Sequence, residues 1–389
     1  MKQKSKSFQL YLIHQGILNL GDAFHFIAIT SQLISVTGSG IYASFTIILT
    51  PISSFLFSPI AGILGDRLNE KYLILFLMIL KSAMALLFAS SSNIINIYIL
   101  ILLLAIIEII SNPLRKKILV NLLKPQDILM ANSIISGIAG FMFIIGPILA
   151  GFLIEKYGVA LVFSVNSLLY FLSGIILFFI RVKSQKSLRE KKNIIRGNRE
   201  ALNYLRKNPH IKKLILISTI LSLNIASINI AFYPFVFDIL KIKDKTWGTM
   251  MSIFYGSSLF AMYLSINLNA IIKRLDLFFL YFSLIFISLC WLSYGFLEYI
   301  PLIMAIQFME GILTSLFTMV LNSKIQTLTN KDYLARIVAI NDIFVNFGKL
   351  ISAIISYSLL IFLPVQNLFI LNFIILFFYG LYLLSPKII

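Results

Sequence analysis

Several ionisable side chains of this 389-residue chain lie inside long apolar runs, where a charge must be paired, hydrated or used. They are Asp22, His25, Glu108, Glu310, Asp342 and Lys349. A carboxylate in such a place exchanges a proton more readily near neutral pH than one in water, because burial disfavours its charged form. These residues are therefore our candidates for proton coupling or for lining a substrate cavity.

Each acid also has a structural alternative. Asp22 and His25 lie one helical turn apart, so His25 could assist proton exchange or hold the carboxylate by a hydrogen bond. Asp22 could instead be a structural partner of a neighbouring helix. Glu108 could pair with Lys81, a lysine in the preceding apolar run. As proton carriers we rank Asp22 first, then Glu108 and then Glu310.

Asp342, Asn346 and Lys349 follow i, i+4, i+7 spacing and share one helical face. Asp342 is only about two turns from the cytoplasmic start of its predicted helix, so it could belong to a contact there. Lys349 lies deeper and needs an acidic partner or an anionic substrate.

The elements that position these residues are membrane helices. Hydrophobic residues make up 59% of the chain and charged residues 12%, too few charges for a soluble protein of this length. Apolar runs long enough to cross roughly 30 Å of hydrocarbon recur along the sequence. The composition predicts an all-α membrane protein. About twelve spans are predicted, at about 9–33, 40–63, 72–91, 94–114, 128–153, 159–181, 213–237, 247–271, 277–296, 300–321, 335–361 and 367–385.

The net charge of +18 reflects topology rather than nucleic-acid binding. Of the 33 Lys and Arg residues, 27 fall in one alternate set of connections, which includes both termini, and four in the other. This asymmetry predicts cytoplasmic termini in a plasma membrane, with the basic loops against anionic lipid.

The spans divide into two six-helix halves. A basic linker, 182–212, separates an N-terminal bundle, 1–181, from a C-terminal bundle, 213–389, and its stretch "NREALNYLRKNP" reads as an amphipathic helix on the inner membrane surface. The segments "LLKPQDILMANSI" (122–134) and "TLTNKDYLARIVA" (327–339) match in the two halves. Such repeated bodies hold substrate near the bilayer midplane.

A short charged break between the second and third spans carries a family resemblance. It reads Gly62-x-x-x-Asp66-Arg67-x-Asn69-Glu70-Lys71. This resembles the loop signature of the major facilitator superfamily, G-x-x-x-D-R-x-G-R-[RK]. The pairs Gly21-Asp22 and Thr37-Gly38-Ser39 are similar to elements of its macrolide-efflux-like exporters. The resemblance implies the major facilitator fold in two pseudo-symmetric halves.

The resemblance also implies a cytoplasmic latch formed by Gly62, Asp66, Arg67 and Lys71. In the family, the partner of this loop is the end of helix eleven, here near 336–342. The latch would hold the two halves together in one state and release them in the other. The alternative is a solvated turn. Because Glu70 can neutralise Arg67, the latch is expected to be weak, and Glu70→Arg is expected to strengthen it.

The stretch Gly146-Pro147-x-x-Ala150-Gly151 resembles the superfamily's antiporter motif, with Met142 in place of its first glycine. Pro147 removes a backbone hydrogen bond and Gly146 removes side-chain bulk, so the helix can bend and pack closely there. The alternative is an ordinary proline kink. The motif favours export over import.

The residues and the resemblance together predict an exporter of small amphipathic compounds, cationic or drug-like, that works by proton antiport and alternating access. The alternatives are a metabolite facilitator or importer of the same fold and a membrane sensor that no longer transports. An enzyme is not expected, because no catalytic cluster or phosphate loop is present. We expect a monomer in a bacterial membrane with no cofactor and no metal, since the chain has one cysteine and three scattered histidines.

Overall fold

The computed structural model describes residues 6–53, 56–57, 69–124, 127–181, 194–267 and 277–385. Within these ranges the chain forms thirteen α-helices. In chain order they are α1 (Lys6–Thr37), α2 (Gly40–Ser53), α3 (Glu70–Ser90), α4 (Ile94–Leu122), α5 (Ile128–Tyr157), α6 (Val159–Phe178), α7 (Ile194–Lys207), α8 (Pro209–Pro234), α9 (Asp244–Asn267), α10 (Leu277–Tyr294), α11 (Ile300–Leu328), α12 (Lys331–Leu360) and α13 (Val365–Leu384).

Ten of the described helices are long and apolar enough to cross a membrane. The exceptions are α2, α7 and α9, of which α2 and α9 coincide with the second and eighth predicted spans. The prediction of an all-α membrane protein is confirmed.

Local sequence explains where the helices begin and end. Asn69 begins α3, and its side-chain oxygen accepts hydrogen bonds from the backbone N–H groups of Lys71 and Tyr72. Gly158 joins α5 to α6 at φ +83°, a backbone conformation that glycine adopts without steric cost. After Pro234, which has no N–H to donate, α8 continues as a short π-helix over Phe235–Ile239.

The chain folds into two compact units that repeat one packing pattern. The first contains Met1–Ser187 with Val236–Gly256, and the second contains Leu188–Phe235 with Ser257–Ile389. In the first unit α1 packs against α5 and α6, and α3 packs against α4 and α6. In the second unit α8 packs against α12 and α13, and α10 packs against α11 and α13. Helices at equivalent places in the two halves therefore have equivalent neighbours.

The linker forms the helix expected from its sequence, α7, which lies against the start of α12 within the second unit. The Tyr204 ring stacks on the Tyr333 ring at 4.5 Å, and the Tyr204 hydroxyl accepts a hydrogen bond from the Asn330 backbone N–H at 3.1 Å. Arg336 and Glu200 form an ion pair at 3.7 Å. The apolar face of this helix thus has a protein partner.

Candidate functional site

A buried network of charges lies at the centre of the first unit, around Lys81 on α3. Lys81 Nζ lies 3.0 Å from Asp22 Oδ1 on α1 and 2.9 Å from Glu108 Oε2 on α4. The Lys81 side chain is only 4% exposed, whereas the side chains of Asp22 and Glu108 are 29% and 35% exposed, so the cation is buried and water reaches both carboxylates. Of the two roles considered for Glu108, the structure shows the pairing with Lys81.

A second cation, Arg115, completes the network. Its Nη2 donates to Glu108 Oε1 and, at 3.1 Å, to Asn112 Oδ1. Arg115 is buried in α4, although the sequence alone places it among the cytoplasmic loop charges. Because Asp22 and Glu108 balance Lys81 and Arg115, the network has no net charge when all four are ionised. It ties three helices together electrostatically.

Asp22 is also held by a tyrosine from a fourth helix. Tyr170 on α6 donates its hydroxyl to Asp22 Oδ1 at 2.8 Å. The approach depends on Gly21, since a Cβ at that position would lie 2.9 Å from the Tyr170 ring. The glycine of the Gly21-Asp22 pair therefore makes room for the tyrosine that binds the neighbouring aspartate.

His25 does not contribute to the network in the way the sequence suggested. Its Nδ1 lies 3.2 Å from Asn166 Nδ2, and its ring meets Phe88 and Phe163 edge to face, with centroids at 5.0 and 5.8 Å. Asp22 is instead held by Lys81 and Tyr170. His25 packs among aromatic rings one turn further along α1.

The acid at the equivalent place in the second unit has a different environment. Glu310 on α11 accepts hydrogen bonds from Trp291 Nε1 at 2.7 Å and from the Tyr294 hydroxyl at 2.6 Å. Both donors are neutral, both lie on α10, and both side chains are fully buried. Among the described residues no cation pairs with Glu310. A proton can therefore neutralise this carboxylate without breaking an ion pair.

The face of α12 carries its polar residues toward the outside of the second unit. Asp342 and Asn346 are exposed, and Lys349 is half-buried. Within the described ranges Lys349 forms no ion pair, so the expected acidic partner is not seen there.

Part of the predicted latch lies within the described residues. Gly62, Asp66 and Arg67 lie outside them. Lys71 donates to the Phe178 carbonyl at 2.7 Å and so places a cation at the carboxyl end of α6. Glu70, which is 1% exposed, accepts a hydrogen bond from Asn121 at 2.8 Å and lies 3.4 Å from Lys117 Nζ.

The antiporter-like stretch forms a tightly packed surface on α5. A Cβ on Gly146 would lie 2.6 Å from Ala23 Cβ on α1, and one on Gly151 would lie 2.5 Å from the Asp244 carbonyl oxygen. Gly248 on α9 faces the Pro147 carbonyl, where a Cβ would lie at 2.2 Å. Ala150 is fully buried beside them. Small residues on both helices thus allow backbone-to-backbone contact within the first unit.

Asp238, whose role the sequence does not indicate, binds the Thr37-Gly38-Ser39 loop. Asp238, in the π-helical turn, accepts hydrogen bonds from Ser39 Oγ and from the Gly40 backbone N–H, both at 2.7 Å. The carboxylate therefore lies at the amino end of α2, where the helix dipole favours a negative charge.

Of the functional contacts missed from the sequence, one had a readable signal. Arg115 follows Glu108 by seven residues, which places both on one helical face. Tyr170, Trp291, Tyr294 and Asp238 gave no comparable signal. No cluster of three or more metal-binding side chains occurs among the residues that the structure describes.

Comparison with known proteins gives the family. Residues 13–297 match the model of the Major Facilitator Superfamily. The MFS-type transporter YfiS of Bacillus subtilis (strain 168) is 25% identical over 212 residues, which cover 53% of this chain and 51% of that protein, so the match spans about half of that relative.

Two solved structures show the same fold. The nucleoside transporter NupG superposes with a TM-score of 0.78 at 12% identity, covering 98% of this chain and 100% of that one. A bacterial homologue of the iron transporter ferroportin, in an inward-facing state, superposes with a TM-score of 0.75 at 14% identity, covering 97% of each. The chain belongs to the Major Facilitator Superfamily, a family of membrane transporters and not of enzymes.

Proposed function

We propose that the protein is a secondary active transporter that exports small amphipathic compounds across a bacterial plasma membrane by alternating access, in exchange for protons. The observation that carries the proposal is the contrast between the two acid sites. Asp22 and Glu108 are each paired with a buried cation, whereas Glu310 is held by neutral donors only. Pairing keeps a carboxylate ionised, so we propose Glu310, not Asp22, as the residue that takes up and releases the proton.

The two donors to Glu310 suggest which oxygen is protonated. An indole N–H can only donate, so the oxygen bound to Trp291 remains an acceptor in both states. A phenol can donate or accept, so Tyr294 can turn from donor to acceptor when its carboxylate oxygen gains a proton. The site can therefore hold either protonation state with its hydrogen bonds satisfied.

The direction of transport rests on the antiporter-like motif and on the exporter-like Gly21-Asp22 and Thr37-Gly38-Ser39 elements. The tight packing at Gly146 and Gly151 supports a structural need for small residues there. A latch formed by Gly62, Asp66, Arg67 and Lys71 would stabilise one of the two states.

The proposed substrates are drug-like amphipaths. The chain contains 34 Phe and 17 Tyr, and aromatic walls with one titratable acid suit an apolar body that carries a cationic group.

The proposed orientation places both termini in the cytoplasm. Reporter fusions at Ser92 and Lys243 should then report the outside, and fusions at Asn69 and Lys192 the inside. One robust inversion among the four would contradict the charge-based topology.

Ethidium uptake into proteoliposomes tests the transport proposal. Ethidium is permanently cationic, so an acidic lumen does not trap it as it traps a weak base. The wild-type protein should concentrate ethidium in liposomes with an acidic lumen. Glu310→Gln should lose this accumulation yet still exchange labelled for unlabelled ethidium. Glu298→Gln, an exposed acid on the loop before α11, is the matched control and should behave as wild type.

The same assay separates the alternatives. Uptake that stops at equal concentrations whatever the pH gradient would indicate a facilitator, and binding without uptake would indicate a sensor. If Glu310→Gln still concentrates ethidium, the proton is carried elsewhere, and Asp22 or Glu108 must be reconsidered.

A further inference from the structure

Asp22 on α1 keeps one carboxylate oxygen free of protein contacts. Its Oδ1 accepts hydrogen bonds from Lys81 Nζ at 3.0 Å and from the Tyr170 hydroxyl at 2.8 Å. Its Oδ2 bonds to none of the described residues, and it is not one of the buried polar atoms that lack a partner. Because the Asp22 side chain is 29% exposed, this second oxygen is accessible, and the two bonds to the other oxygen hold it in place.

A second free acceptor lies one helical turn before Asp22. The Asn19 side-chain N–H donates to the Gln15 carbonyl at 2.6 Å, which leaves the amide oxygen as the unbonded end of the side chain. Asn19 is half-buried, and its oxygen is likewise absent from the buried polar atoms without a partner. At i, i+3 spacing, Asn19 and Asp22 share one face of α1, with their Cβ atoms about 5–6 Å apart. One group that carries two N–H donors can therefore bond to both oxygens.

The charges beside these acceptors form two layers. The side chains of Lys81 and Arg115 are 4% and 10% exposed, whereas those of Asp22 and Glu108 are 29% and 35% exposed. A ligand therefore meets carboxylate oxygens at contact distance and the two cations only behind them, and the Coulomb energy falls inversely with distance. Lys81 and Arg115 occupy both oxygens of Glu108, so Asp22 offers the free one. The accessible side of this neutral network favours a cation and disfavours an anion.

An aromatic ring borders the two acceptors. Phe26 follows Asp22 by four residues, so it lies on the same face of α1, and it is half-buried. Its ring contacts that of Trp247, with the ring centroids 6.3 Å apart. The exposed part of the Phe26 ring can pack against the apolar body of a ligand whose charged group is bound at Asp22.

We propose that the free oxygens of Asp22 and Asn19 bind the protonated amine of the substrate, which donates one N–H to each. The ligand is taken to be the exported amphipath, so this inference rests on the proposed function. Asp22 then recognises the cation, whereas Glu310 exchanges the proton. The preferred substrates are primary and secondary amines, because a trimethylammonium group has no N–H to donate and an anion is repelled by the carboxylate. Ethidium, whose charge is quaternary, carries aryl amino groups that can donate to the same oxygens.

Photolabelling in nanodiscs without an ion gradient tests the proposal. The three probes share a para-(trifluoromethyl-diazirinyl)benzyl body and carry an ammonium, a trimethylammonium or a hydroxyl group. The ammonium probe should label the α1 segment 19–26 saturably, at least fivefold more than either other probe, and unlabelled benzylammonium should compete. Equal labelling by the two cations would mean that charge alone suffices, and equal labelling by all three would mean a nonspecific apolar contact. Either result would overturn the proposal.

Asp22→Asn removes the charge of the proposed site and keeps the shape of the side chain. Labelling by the ammonium probe should fall to the level of the hydroxyl probe, while labelling by the hydroxyl probe is unchanged. Glu155→Gln is the matched control, because Glu155 is an exposed acid on α5 of the same unit, and labelling should equal that of the wild type. A preference for the ammonium probe that survives Asp22→Asn would show that another group binds the cation.

A tethered cation tests the same contact with Asp22 left intact. Asn19→Lys places an ammonium one turn from the free oxygen of Asp22, so it should occupy that oxygen and lower labelling by the ammonium probe at least tenfold. Asn19→Met has a side chain of similar length without the charge and removes one of the two acceptors, so it should lower labelling only two- to threefold. Equal losses in the two variants would mean steric blocking and would contradict the proposal. Size-exclusion profiles identify any variant that fails to fold, and the Asn19 pair decides the outcome if Asp22→Asn is such a variant.

Failure of this proposal and failure of the transport proposal give different results. Saturable labelling by the ammonium probe in a protein that does not concentrate ethidium would contradict proton-driven export and leave the Asp22 site standing. Accumulation of ethidium without preferential labelling by the ammonium probe would support export and overturn the Asp22 site.

Discussion

Lys81→Met should destabilise the first unit, because Lys81 is the cation that neutralises Asp22. Arg115 is bonded to Glu108, so Glu108 retains a cation after the substitution. Asp22 retains only the neutral hydroxyl of Tyr170. The network, balanced in the wild type, would then carry one uncompensated negative charge.

The size of the loss follows from the geometry. At about 3 Å and an effective dielectric constant near 20, each contact of Lys81 is worth roughly 5–6 kcal/mol before desolvation is subtracted. Breaking a buried pair by removing one partner costs about 3–5 kcal/mol. The carboxylates of Asp22 and Glu108 retain 29% and 35% exposure, so water can solvate the orphaned charge. We therefore expect a loss of about 3 kcal/mol, or roughly 6–12 °C in melting temperature.

A second substitution tests whether charge, not packing, is responsible. Lys81→Met with Asp22→Asn restores neutrality, since Glu108 and Arg115 still pair, and should recover about 2 kcal/mol. Lys81→Met with Glu108→Gln leaves Asp22 and Arg115 each without the ion-pair partner that it contacts in the wild type, and should recover nothing. The difference between the two double variants isolates the electrostatic coupling.

The assay is the fraction of monodisperse protein that survives heating, measured by size-exclusion chromatography in detergent. If Lys81→Met has the same melting temperature as the wild type, the Lys81–Asp22 pair contributes nothing to stability. If both double variants recover equally, the loss comes from the packing of the lysine stem and the electrostatic reasoning is wrong.

Three further predictions follow from the contacts in the first unit. Gly248→Ala should lower both the melting temperature and the transport rate, because the new Cβ would lie 2.2 Å from a carbonyl oxygen of α5. Gly137→Ala is the control: its Cβ would meet nothing within 4 Å, so the melting temperature should equal that of the wild type. Asp238→Ala removes two hydrogen bonds at the amino end of α2, which should cost about 1–3 kcal/mol of stability there and speed amide hydrogen exchange. Unchanged exchange would show that the bonds are not formed in solution. Glu70→Arg should lower the free energy of unfolding by about 3 kcal/mol, because it buries a cation beside Lys117. A variant whose melting temperature equals or exceeds that of the wild type would favour the stronger latch expected from the sequence alone.

The sequence was sufficient for the fold and for locating the charges, but not for the partners of most of them. Twenty-residue apolar runs and the placement of Lys and Arg are one-dimensional properties, so membrane helices can be read directly. Lys81 and Glu108 could be proposed as a pair because each interrupts an apolar run and both need a partner. Hydropathy ends the fourth span at 114 and so places Arg115 in a loop, whereas α4 continues to Leu122 and the Arg115 side chain is buried.

The partners of Glu310 show why the remainder could not be predicted. Trp291 and Tyr294 lie 19 and 16 residues away on a neighbouring helix, and their contact depends on how α10 and α11 are rotated about their axes. Aromatic residues are so frequent in this chain that neither position stands out. The same holds for Tyr170 and Asp22, whose contact depends on the absence of a side chain at Gly21.

The indole bonded to Glu310 gives the protein an optical property of its own. The chain has two tryptophans, Trp291 and Trp247, and Trp247 packs against Phe26 and Phe237 in the first unit. In a Trp247→Phe protein, all remaining indole emission comes from the ring whose N–H is bound to the Glu310 carboxylate. A charge that appears or disappears on that carboxylate changes the electric field on the ring, so emission followed across a pH titration gives the ionisation of Glu310 without any label.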